Sequence, residues 1–142
     1  MRRTCSAAIA CALASTIGAA CGHAPTAPDA WTIDAVPRQS LTVQQTLPPG
    51  MLVEGSWLAG SSDPIGLALR TSGMGFDWDI HAHIGGGTQD VASGFAQITV
   101  DYAFFPSAQG QWYLLLRNSS GATLTIDVAM DLYGQAQWAG WQ

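Results

Sequence analysis

Two histidines two residues apart, His81 and His83, lie in the run Phe76-Asp77-Trp78-Asp79-Ile80-His81-Ala82-His83-Ile84. Polar and apolar residues alternate along it. In an extended strand Asp77, Asp79, His81 and His83 therefore share one face, and Phe76, Trp78, Ile80, Ala82 and Ile84 share the other. Residues i and i+2 of a strand are about 6.6–6.8 Å apart, so two imidazoles there can converge on one ion with Zn–N distances of about 2.0–2.1 Å. Asp79 would add a carboxylate or orient a ring nitrogen. Imidazole with carboxylate suits Cu or Zn, or Ni. Two histidines and one acid do not close a site, and a third ligand must come from a neighbouring strand, where Glu54, Asp101, Asp127 and Asp131 are available. The plainer expectation, and the preferred one, is a polar outer face whose Asp and His side chains pair with cross-strand groups.

Little else in the chain suggests chemistry. Nucleophilic catalysis needs a nucleophile beside a base; the serines all stand in turn-like contexts, and no Gly-x-Ser-x-Gly elbow occurs. Asp77 and Asp79 form a pair of acids on an open strand, which water normally solvates. Gly85-Gly86-Gly87 opens no helix and is followed by no lysine, so it reads as a turn and not a phosphate loop. Asn118-Ser119-Ser120 matches a glycosylation acceptor, but a hairpin turn explains it equally. No catalytic residue is assigned. Trp138 and Trp141, in the tail over residues 134–142, are expected to fold back over the domain; the alternative is an exposed pair contacting a glycan, a partner protein or the lipid interface.

The elements that must position these groups follow a period of two. Leu41 and Val43, Met51 to Trp57, Ile65 to Leu69, Trp112 to Leu116 and Leu124 to Leu132 all alternate, and turns rich in Pro, Gly, Ser and Asn separate them. Trp31 and Ile33 begin a further short strand. The stretch from Gly87 to Phe95 alternates weakly. No segment carries a helical stripe. The pattern predicts an all-β, antiparallel β-sandwich of the jelly-roll kind over residues 31–133.

The N-terminus carries an address. Met1-Arg2-Arg3 is a short basic start, and residues 4–20 are small, apolar and uncharged, the layout of a secretory signal. Ile17-Gly18-Ala19-Ala20-Cys21 resembles the lipobox of bacterial lipoproteins, departing from it at Gly18. The resemblance implies a signal peptide over 1–20, lipid on Cys21 and membrane attachment, with Gly22 permitting passage to the outer membrane. Cys5 and Cys11 fall within the signal, so Cys21 alone remains in the mature chain and no internal disulfide is expected. Residues 21–30, with two prolines, read as a tether, and His23 as a solvated residue within it. The net charge is −5 with ten acids and no lysine. Such a chain offers phosphates no basic stripe, and nucleic acid is not expected as a partner.

Phe105-Pro106, Gly110-Gln111-Trp112-Tyr113, Asn118 and the alternating Leu124 to Leu132 resemble the closing half of Golgi-dynamics (GOLD)-like β-sandwich domains. That resemblance covers roughly residues 41–133. It implies a binding or adaptor module and transfers no active-site residues. The expectation is a non-catalytic, lipid-anchored β-sandwich of the cell envelope. The alternatives are a metal-binding protein using His81, His83 and Asp79, and a carbohydrate-binding module using exposed tryptophans.

Overall fold

A computed structural model of the chain describes residues 35–142. The expectations for residues 1–20, Cys21, the 21–30 tether and the strand beginning at Trp31 concern residues outside these. Nine strands follow in order: β1 (Gln39–Leu47), β2 (Leu52–Ala59), β3 (Ile65–Arg70), β4 (Phe76–Ile84), β5 (Gly87–Gln97), β6 (Thr99–Phe104), β7 (Gly110–Arg117), β8 (Leu124–Leu132) and β9 (Gln137–Trp141). They form a four-stranded sheet ordered β1-β8-β3-β6 and a five-stranded sheet ordered β5-β4-β7-β2-β9. Among the described residues there is no helix.

All pairings are antiparallel, and four of them nest: β1 with β8, β2 with β7, β3 with β6 and β4 with β5. This is a long hairpin rolled up on itself, the jelly roll that the alternation predicts. The two inner faces meet in one core. Trp57 and Trp112 of the five-stranded sheet bracket Phe104 of the other, each with ring centroids 5.9 Å away. The indole N–H of Trp57 donates to Met130 Sδ at 3.3 Å. Ile65, Leu67, Leu69, Ile80, Leu114, Leu116 and Ile126 are all fully buried. Each such side chain favours folding by about 1.5–3 kcal/mol.

Two elements differ from the sequence expectation. The weakly alternating stretch is the 11-residue strand β5, whose period is broken by register shifts against β4 between Ile80 and His81 and between Phe76 and Trp78. The tail folds back as expected but does so as a strand, extending the sandwich past residue 133: β9 pairs with β2 and forms an edge of the five-stranded sheet. Residues three apart on a regular strand face opposite ways. Here Trp138 lies opposite Trp57 and Trp141 opposite Gly55, so β9 spends one residue more than β2 over that span. This bulge, with Gly140 at φ 105°, turns both indoles to the core side. Their rings meet edge to face at 5.1 Å, and Trp138 lies 5.4 Å from Trp57. They occupy the volume that a side chain at Gly55 would need. Trp138 and Trp141 are thus half-buried parts of the core margin and do not stand as an exposed pair.

Two buried polar residues fix the ends of the barrel-like roll. Asp63 accepts the backbone N–H groups of Gly60 and Gln135, both at 2.8 Å, joining the turn before β3 to the turn before β9. Asn118, fully buried, donates to the carbonyls of Leu47 and Ala122 at 2.8 Å each. That burial leaves it no access for a glycan.

Candidate functional site

β4 turns its apolar residues inward as its alternation requires: Phe76, Trp78, Ile80 and Ala82 are buried. Asp77, Asp79, His81 and His83 project from the outer face of the five-stranded sheet. β7 lies on one side of them and β5 on the other. Register decides the neighbours. His81 is opposite Tyr113 on β7 and Asp90 on β5, Asp79 is opposite Leu115 and Ser93, and His83 is opposite Thr88.

His81 is the centre of this group, and only 9% of it is exposed. Its ring stacks on Tyr113 at 5.3 Å with planes 15° apart. Nδ1 donates to Asp79 Oδ1 at 2.6 Å, while Nε2 faces Glu54 Oε1 at 3.4 Å from beyond β7. Both ring nitrogens thus face carboxylates. His83 closes a three-ring cluster, 5.2 Å from His81 and 5.3 Å from Tyr113, with edge-on geometry to both. Its Nδ1 lies 3.4 Å from Thr88 Oγ1.

The histidines pack on each other edge to face, with planes 73° apart. Among the described residues no group of three or more His, Cys, Asp or Glu is arranged to hold a metal ion. Of the acids expected to complete a ligand set, Glu54 reaches His81. Asp101, Asp127 and Asp131 lie on the four-stranded sheet, bound to Arg70, Gln44 and Ser40 at 2.6 Å in each case.

Beside this cluster runs an open groove of about 460 Å³, lined by Asp79, His81, His83, Thr88, Asp90 and Phe95 among others. A second recess of about 160 Å³ adjoins it, reaching Asp77, Leu115 and Arg117. Phe95 and Asp79 border both recesses, and the Phe95 side chain is 75% exposed. Its presentation is built. Ala96, the next residue, has φ 51°, a left-handed backbone that costs an alanine about 1–2 kcal/mol. Asp77 Oδ1 accepts the Ala96 N–H at 3.0 Å, and the Gln97 amide donates to the Phe95 carbonyl at 3.0 Å. A bulge of this kind re-aims a side chain; here it puts a phenylalanine into solvent.

Glu54, Tyr113, Asp90 and Phe95 join the expected Asp79, His81 and His83 in this surface. Glu54 stands among the acids that the sequence offers as partners. The other three carry no sequence signal of their own, because only the strand register brings them to His81.

No protein-family profile matches the chain, and no characterised protein matches it in sequence. Solved structures do share its architecture. The crystal structure of the Yersinia pseudotuberculosis-derived mitogen, YPM, superposes with a TM-score of 0.52 at 12% identity, over 70% of this chain and 89% of that one. PliG of Aeromonas hydrophila, a periplasmic inhibitor of g-type lysozyme, superposes with a TM-score of 0.50 at 10% identity, over 68% of this chain and 94% of that one. At such identities the likeness is one of fold.

Proposed function

We propose that the chain is a non-catalytic binding domain of the bacterial cell envelope, exported by residues 1–20 and held to a membrane by lipid on Cys21. Its binding surface is the outer face of the five-stranded sheet around β4 and β5. The observation that carries this reading is the inequality of the two outer faces. On the four-stranded sheet polar side chains satisfy one another: Ser40 with Asp131, Gln44 with Asp127, Thr46 with Thr125 and Arg70 with Asp101. The four-stranded sheet carries a recess of about 190 Å³ over Ser40, Gly66 and Ala68, whereas the five-stranded sheet presents a groove of about 460 Å³, an exposed Phe95 and the packed His81–His83–Tyr113 cluster. Exposed aromatic anchors beside polar groups are the usual composition of a recognition surface. The side chains paired with His81 are the carboxylates of Asp79 and Glu54 and the Tyr113 ring, which suits a recognition surface. The shared architecture with a periplasmic inhibitor supports an envelope setting.

Site-specific photocrosslinking in cells tests the reading. A benzophenone amino acid in place of Phe95 should capture a partner, and the same group at Gln44, on the opposite outer face, should not. Equal capture at both positions, or none at Phe95, removes the assignment. The anchor is tested separately: Cys21→Ser should abolish incorporation of labelled palmitate and release the chain from the membrane fraction. Palmitate incorporation unchanged by Cys21→Ser removes the lipoprotein assignment.

A further inference from the structure

Resting on the binding-face reading above, we infer that the groove over β4 and β5 receives a cationic protein segment, a lysine or arginine side chain next to an apolar one. The charge on the face points there. Asp79 and Asp90 line the groove, Asp77 borders the adjoining recess, and Glu54 stands across β7 on the far side of His81. Arg117 is the arginine that this face carries, and it lies in the adjoining recess, away from Asp90. The other arginines of the described residues are engaged elsewhere: Arg38 with the Ala136 carbonyl, and Arg70 with Asp101 and the Val100 carbonyl. On the opposite sheet each carboxylate has a hydroxyl, amide or guanidinium partner; Asp90 has no hydrogen-bonded side chain among the described residues.

Shape and ring chemistry agree with that charge. A guanidinium or ammonium group entering between Asp79 and Asp90 would lie beside the rings of His83 and Phe95, where an aromatic face adds attraction for a cation. Phe95, fixed by its bulge, would take the neighbouring apolar side chain with little loss of conformational freedom on binding. The net charge of −5, which becomes −7 once Arg2 and Arg3 leave with the proposed signal, steers a basic partner toward the surface and repels acidic ones. A neutral glycan could donate hydroxyls to these carboxylates but would gain no net Coulombic attraction from them.

Amide NMR of the isotopically labelled protein separates the outcomes. The probes are the peptide acetyl-Gly-Arg-Leu-Gly-amide, its counterpart with Glu for Arg, and a tetramer of N-acetylglucosamine. The arginine peptide should shift amides around Asp79, Asp90 and Phe95, with an affinity that falls as salt is raised. In the Asp79→Asn, Asp90→Asn double variant that affinity should fall about five- to tenfold, the size expected of a charge contact beside a protein surface. Equal shifts from the glutamate peptide, or unchanged affinity in the double variant, overturn the inference. If the oligosaccharide shifts these amides and the arginine peptide does not, the cationic partner is wrong while the binding face stands. If no probe shifts them, the inference falls, and the crosslinking at Phe95 decides the binding face on its own.

Discussion

The carboxylate of Asp77 holds the amide of Ala96 at 3.0 Å, tying β4 to the one non-glycine residue of the described chain whose backbone is left-handed. A conformation that alanine resists is thus kept beside the most exposed ring of the proposed binding face. Replacing Ala96 by Gly relieves the backbone at once and should raise stability by up to about 1 kcal/mol. Asp77→Ala removes the restraint and should lower it by about 1–2 kcal/mol. Thermal unfolding checks both, since 1 kcal/mol moves the midpoint of a domain this size by about 4–8 °C. A less stable Ala96→Gly protein would mean that no strain is held there.

Gly55 is where the two tail indoles reach the core. A β-carbon at that position would fall within the Trp138 ring and against Trp141. Gly55→Ala should therefore cost about 1–3 kcal/mol, speed hydrogen exchange in β9 and shift tryptophan emission to the red. Gly73→Ala, in open space, should stay within about 0.5 kcal/mol of the parent. Similar losses in the two variants would contradict the packing described for β9.

Asn118 offers a test of polarity at constant size. Its amide donates to the Leu47 and Ala122 carbonyls, and its Oδ1 accepts from the Ser120 amide at 2.9 Å and hydroxyl at 2.6 Å. Asn118→Asp would set a carboxylate against two carbonyl oxygens in a buried position. The expected loss is about 3 kcal/mol or more, at least as large as that of Asn118→Ala. Urea midpoints measure it, and an Asp variant more stable than the Ala variant would be inconsistent with this hydrogen-bond pattern.

Alkaline pH should weaken the fold through tyrosine. Burial pushes the Tyr102 hydroxyl above its ordinary value of 10.0, and burial together with Asp131 does the same to Tyr133. The unfolded chain releases these protons first, so above pH 10.0 it binds fewer protons than the folded one and stability falls as pH rises. Below that pH the two groups contribute no slope. Tyr102→Phe combined with Tyr133→Phe should flatten the decline in melting temperature between about pH 10 and 12. An unchanged slope would assign the alkaline loss to other groups.

Much of the architecture is legible in residue order because alternation survives wherever pairing is regular. β4 and β8 read cleanly from Phe76–Ile84 and Leu124–Leu132, and so does the outward row from Asp77 to His83. Legibility fails at the bulges. Two of them break the period of β5, and a third places Trp138 and Trp141 on one face at a spacing that fits no regular strand. The site was visible as far as one strand could show it. That Tyr113 and Asp90 flank His81 depends on register, and that Glu54 reaches His81 across β7 depends on sheet order. Neither is written in local sequence.

The nested pairing also sets a timetable. Gln39 meets Leu132, and the outermost pair of the roll joins the first described strand to the eighth. A chain emerging N-terminus first, from a ribosome or through a translocation pore, has β1 in hand long before its partner exists. Ladders between such distant segments form slowly. The polypeptide therefore stays pliable until its eighth strand is available, a property that the export proposed above would use, since a thread passes a pore that a closed roll cannot.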